Sequence, residues 1–236
     1  MKKWGWFMGL YVAVVFLSIG GAHLSSEFVT VFHQNRPLDR EVCVIIDAGH
    51  GGEDGGATSC TGVLESQINL DISLRLNDLL HLLGYQTYMI RTTDTAIYTE
   101  GETLSSKKAS DLKNRVAIVN QTENALLVSI HQNTFPDGRY SGAQVFYSKH
   151  NKSKQLAEVL QTAFIRSINP GSKRRAKPSD GIYLMQHIQQ PGILIECGFI
   201  SNAEEESRLC SKDYQQKLVC VIATEVCQYC TLTHNE

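Results

Sequence analysis

The chain has 236 residues, of which 42% are apolar and 19% charged. That length allows one large domain or two small ones, and the apolar share is enough for a core, so a disordered chain is excluded. A formal charge of −2, from 22 basic and 24 acidic residues, gives no footprint for nucleic acid, and seven cysteines are too few and too odd for a disulfide scaffold.

Charge is nearly absent before residue 27. Lys2 and Lys3 precede an uncharged stretch from Trp4 to Leu24. A basic start followed by an apolar run reads as a signal peptide or membrane anchor over 1–24. Residues 25–41 are mixed and polar and read as a linker. From there the chain alternates two kinds of segment. Val42–Asp47 is a β-branched run, expected as a buried strand. Ile68, Ile72, Leu76, Leu79, Leu80 and Leu83 form a helical stripe closed by Gly84. Tyr85–Ile90 reads as a strand, 91–104 as a polar loop, and Ala109, Leu112, Val116 and Val119 as a second helix face. Ala125–Ile130 and Gln144–Tyr147 are further strands. Leu156, Val159, Leu160, Ala163 and Phe164 mark a third helix. Residues 169–180 read as a basic loop, and Ile182–Met185 and Ile193–Ile195 as two more strands. Ser201 or Asn202 caps a helix that opens on Glu204, and a last helix covers about Asp213–Tyr229. The expected fold is α/β: a single layered domain over 42–230, with a mixed, mostly parallel sheet of about six strands between helices. Residues 231–236 are expected to be a tail.

Three strands end in residues that packing alone does not call for. They are His50 after the first, His131 after the third and Glu196 at the end of the last. In open α/β sheets the site lies beyond the carboxyl ends of the strands, so these three are expected to converge. Glu65, at the start of the first long helix, can fold back over the same rim. Two His and one Glu make a catalytic zinc set with a fourth position for water, and one more carboxylate supplies the base. The glycines around His50 do not form a nucleotide loop. They fail G-x-G-x-x-G at Asp54 and lack G-K-[ST]. Their expected use is to let the backbone bend around a ligating His.

Four segments then carry a resemblance: VIIDAGHGGEDGGA (44–57), ESQINL (65–70), VSIHQN (128–133) and IECGFISN (195–202). Together they resemble the zinc-dependent N-acetylmuramoyl-L-alanine amidases over about 42–229. DGIYLM (180–185) and YQQKL (214–218) are most similar to the germination-specific sporulation branch, which acts on spore-cortex peptidoglycan. The resemblance implies that His50, Glu65 and His131 hold Zn2+ and that Glu196 is the catalytic carboxylate. It implies cleavage of the amide between the muramic lactyl group and L-Ala, which readies the sugar for muramic δ-lactam formation by a separate deacetylase. It implies an exported enzyme, in the cell wall or the forespore intermembrane space, bound to the membrane if the first segment is uncleaved. An activating protein partner is left open.

Weaker candidates surround this set. Asn69 and Asn133 are candidate contacts to substrate amides, with capping as the rival use. Arg91 and Arg115 read as structural ion-pair partners. Lys173, Arg174, Arg175 and Lys177 read as a solvated loop, with an anionic glycan or protein contact as the alternative. Cys43 and Cys197 read as small buried apolar residues, and no cysteine is needed as ligand or nucleophile. The competing functions are a zinc carboxypeptidase and a non-catalytic peptidoglycan-binding scaffold.

Overall fold

The computed structural model describes residues 42–233. The expected signal or anchor, the linker and the last three residues lie outside them. Among the described residues, no helix is long and apolar enough to cross a membrane.

The strands are β1 (Cys43–Ala48), β2 (Gln86–Met89), β3 (Ala125–Asn133), β4 (Gln144–Tyr147), β5 (Lys177–Pro178) and β6 (Gly192–Phe199). The helices are α1 (Glu65–Leu82), α2 (Leu104–Gln121), α3 (Asn151–Ser167), α4 (Tyr183–His187), α5 (Ala203–Leu209) and α6 (Lys212–Thr233). One mixed sheet runs β2-β1-β3-β6-β4-β5, and the β4–β6 pair alone is antiparallel.

β1, β3 and β6 are buried along nearly their whole length, as a sheet covered on both faces requires. Side-chain parity sorts them. Val44, Ile46, Val128, Ile130, Ile193 and Ile195 face α1, α3 and α6, meeting Ile72, Leu76, Leu160 and Ile222. Ile45, Leu127 and Leu194 face the other way, toward Val119 of α2 and Leu184 and Met185 of α4. Burying each such side chain contributes about 1.5–3 kcal/mol.

Helix ends follow local chemistry. Past α1, Gly84 takes φ 85°, its N–H donates to His81 O, and the Tyr85 N–H donates to Leu80 O. This pair of bonds is a Schellman motif. Thr103 and Ser106 form a reciprocal capping box at α2. Asn202 accepts from the Glu204 and Glu205 amides at α5. α6 continues through Thr233, past the boundary expected at 230.

Two sequence expectations are corrected. Ile182–Met185 is not a strand. Gly181 turns the chain at φ 84°, and Leu184 and Met185 pack one helical turn against the sheet. A short apolar run carries no period that separates these outcomes. The sixth strand is instead Lys177–Pro178, inside the expected loop, where two exposed residues lie along β4. Proline is tolerated there because β5 is the sheet edge.

Candidate metal centre

β3 and β6 pair in parallel with His131 directly beside Glu196. Residues paired across neighbouring strands share a face, so both side chains rise from the same side of the sheet. A register shift follows between His131 and Asn133, where the strands leave regular pairing.

His50 comes from the loop after β1 and takes the left-handed conformation, φ 61°. That is uncommon for a residue with a side chain and needs holding. Its carbonyl accepts from Arg115 Nη2 at 2.9 Å. Arg115 also donates to the Ala48 carbonyl and pairs with Asp47 and Asp111. Arg91 adds a second clamp, donating to the carbonyls of Ala48 (2.7 Å), Gly49 (2.9 Å) and Ser66 (2.8 Å). Gly49 is required by space, since a Cβ there would stand 2.2 Å from the His131 ring.

Glu65, at the first position of α1, ties the cluster together. Its Oε1 lies 3.0 Å from His131 Nδ1 and 3.4 Å from His50 Nε2, and accepts from the Gln132 amide at 3.1 Å. Its Oε2 accepts from the Ala57 amide at 2.9 Å. Burial pushes the Glu65 carboxyl up, but the bonds from His131 and His50 outweigh it and hold the group well below the usual carboxylate range. Burial also disfavours the His50 cation, yet bonds to Asp54 and Glu65 outweigh it and raise His50 to about 9. Asp54 Oδ2 lies 2.9 Å from His50 Nδ1, and Lys108 holds the other Asp54 oxygen at 2.7 Å.

Donor atoms of His50, Glu65 and His131 lie within 4.8 Å of one another. Two imidazole nitrogens and a carboxylate oxygen fit a divalent metal ion. Asp54 on the far nitrogen of His50 fixes the tautomer that leaves Nε2 free for it. Glu196 stands apart from this set. Its Oε2 is buried without a hydrogen-bond partner among the described residues. Burial raises the Glu196 carboxyl, His131 opposes the rise, and the group stands at about 7. A cavity of about 250 Å³ opens over His50 and His131, with Leu112, Ile182, Tyr183 and Leu184 as an apolar wall.

The four residues expected at the strand ends and helix start are therefore brought together. The two Asn candidates diverge. Asn69 is fully buried, donates to the Gly49 carbonyl and accepts from Gln132 Nε2, so it braces the ligand loop from below and offers no face to substrate. Asn133 is half-buried at the end of β3, where its carbonyl accepts from Ile200 N. Sequence reading missed Asp47 and Asp54 and placed Arg91 among ion-pair partners, where it instead clamps carbonyls. The available signal was position: Asp54 lies four residues from His50 inside the glycine-rich loop.

A His–Glu–His cluster at the carboxyl rim of an α/β sheet, beside Glu196 with its Oε2 buried and without a hydrogen-bond partner among the described residues, is a candidate centre for hydrolytic chemistry. The chain belongs to the N-acetylmuramoyl-L-alanine amidase family, whose model matches residues 44–228. It is 38% identical over 197 residues to the germination-specific N-acetylmuramoyl-L-alanine amidase of Bacillus subtilis, spanning 83% of this chain and 82% of that protein. The CwlD amidase of Clostridioides difficile, solved in complex with the GerS lipoprotein, superposes with a TM-score of 0.77 at 36% identity, over 80% of this chain and 98% of that one. An N-acetylmuramoyl-L-alanine amidase from Clostridium difficile 630 gives 0.69 at 31% identity, over 80% and 97%.

Proposed function

We infer that this enzyme, an N-acetylmuramoyl-L-alanine amidase acting on peptidoglycan, uses His50, Glu65 and His131 as zinc ligands and Glu196 as the group that moves the proton. The observation that carries the reading is the convergence of three donor atoms beside Glu196, whose Oε2 is buried with no hydrogen-bond partner among the described residues. Zinc held there would supply Lewis acidity and lower the pKa of a water in its open position. Glu196 takes a proton from the attacking water and delivers it to the L-Ala nitrogen as the lactyl–amide bond breaks. The free Oε2 is the atom able to do so. Burial raises the Glu196 carboxyl above the ordinary carboxylate range in the metal-free protein, the direction that suits a group that both takes and returns a proton. Leu112, Ile182 and Leu184 give the cavity over His50 and His131 an apolar side against which the substrate would lie.

Spore cortex is the substrate this reading favours, supported by likeness to the germination-specific enzyme of B. subtilis. Likeness to an amidase that forms a complex with a lipoprotein supports an activating protein partner. The uncharged N-terminal segment supports export and, if uncleaved, a membrane anchor.

Digestion of purified peptidoglycan by the zinc-loaded chain tests the reading. The expected products are intact stem peptides with a new free L-Ala amine, on glycan strands of unchanged length. Loss of C-terminal stem residues alone would instead make the enzyme a carboxypeptidase.

A further inference from the structure

Beyond the metal centre, β3 and β6 run on into an aromatic platform. Phe135 lies four residues past His131, Phe199 lies three past Glu196, and Phe199 pairs with Asn133. At ~3.3 Å per residue, that puts Phe199, in β6, about 10 Å from Glu196 along the strand. Phe135 and Tyr140 meet edge to face with ring centroids 4.7 Å apart, and Tyr140 lies over Phe199 at 6.1 Å. Phe199 is buried and forms the base, whereas Phe135 and Tyr140 are each 48% exposed.

Loose packing does not explain this exposure, because the loop is pinned along its length. The Phe135 amide donates to Ser201 Oγ at 3.0 Å, and Asn202 Nδ2 donates to the Gly138 carbonyl at 2.7 Å. Arg174 donates to the Ser141 carbonyl and lies over the Phe199 ring at 4.9 Å. These bonds hold the loop so that the adjoining faces of Phe135 and Tyr140 stay in water next to the centre, where a substrate can cover them.

We propose that Phe135 and Tyr140 form a subsite for the uncharged sugar rings of the glycan strand, flanking the muramic acid that is cut. The inference rests on the amidase reading, because a polymer substrate has to continue past the reacting amide. The apolar C–H faces of a sugar match the electron-rich faces of the rings. Of the neighbouring cations, Arg139 is paired with Asp137, and Arg174 directs Nε and Nη2 to the Ser141 carbonyl while lying over Phe199.

The test uses two substrates: insoluble peptidoglycan with long strands, and a soluble muramyl peptide bearing a single disaccharide. The Phe135→Ala/Tyr140→Ala double variant of the full chain should show about tenfold higher KM on long strands, equivalent to about 1.4 kcal/mol. On the short substrate its kcat and KM should match wild type, as should its metal content. Phe135→Tyr and Tyr140→Phe should keep the wild-type KM on long strands. Sedimentation with sacculi should retain less of the double variant than of wild type, even if neither protein cleaves anything. That readout separates failure of the subsite from failure of the amidase reading. Equal losses on both substrates would make the rings merely structural and overturn the proposal. Unchanged retention on sacculi would also overturn it and leave the surface to another occupant, such as a protein partner.

Discussion

Glu65 performs several tasks with one carboxylate. It opens α1, accepts two backbone amides and stands within reach of both His side chains. Its nearest analogue for His50 is Asp54, which carries no ligand role but decides which imidazole nitrogen is free. Asp54→Asn should therefore weaken metal binding by roughly 10–100-fold, the usual size for removing such a partner. A competition titration with a chromophoric chelator measures this without any turnover, and an unchanged affinity would remove Asp54 from the centre. The pH dependence has a definite sign. Metal binding must displace the proton that Asp54 and Glu65 stabilise on His50, so affinity should climb with pH toward about 9, with proton release on binding. In the metal-free protein the same proton stabilises the fold. Because the folded pKa lies above the unfolded value, this contribution is complete below about 6.5 and is lost as pH rises through about 9. Calorimetric titration in two buffers of different ionisation enthalpy would count the protons, and absence of release near neutral pH would contradict the assignment. The cluster was legible because strand ends and a helix start place His50, His131, Glu196 and Glu65 at one rim. Asn69 was not legible as a brace, because an amide in a helix reads alike whether it faces substrate or a buried carbonyl.

At the scale of elements, the active rim depends on two arginines that bind backbone carbonyls. Arg115 leaves α2, crosses under the His50 loop and pairs with the buried Asp47. The Asp47 charge outweighs burial and holds the Arg115 guanidinium in its charged form. Arg115→Met would strand Asp47 without its cation and release the left-handed His50 carbonyl. A loss of about 3–5 kcal/mol is expected from breaking such a buried pair, read by denaturant unfolding. Arg115→Lys should restore little, because one ammonium cannot span Asp47, Asp111 and two carbonyls as the planar fork does. Destabilisation below 1 kcal/mol would show that the clamp is dispensable. Long elements were readable from sequence for a physical reason. α1 repeats its apolar stripe over several turns and ends on Gly84, and β1, β3 and β6 are unbroken apolar runs. α4 and β5 were not, since one turn or two residues carry no period. Contacts made late, with the sheet face or its edge, decide those segments.

Across the whole molecule, composition matches the chemistry. A near-neutral chain suits a glycopeptide polymer, and the site is built from His and carboxylates. No cysteine belongs to the His50–Glu65–His131 cluster, and those in β1 and β6 pack as small apolar groups, with burial raising the Cys43 and Cys197 thiols. Cys60, Cys210 and Cys220 are exposed. Alkylation of the folded enzyme should accordingly leave both metal content and peptidoglycan cleavage largely intact. Loss of metal on alkylation would place a thiol in the centre.

The central claim is that Glu196 moves protons and does not hold the metal. Glu196→Gln keeps the shape and removes the base, so measuring zinc stoichiometry and turnover on the same sample is the most direct test. The account predicts full zinc content with activity lower by about 10²–10⁴-fold, the usual contribution of a general base. Zinc lost together with activity would make Glu196 a ligand, and activity retained would leave the reaction without the base assigned here.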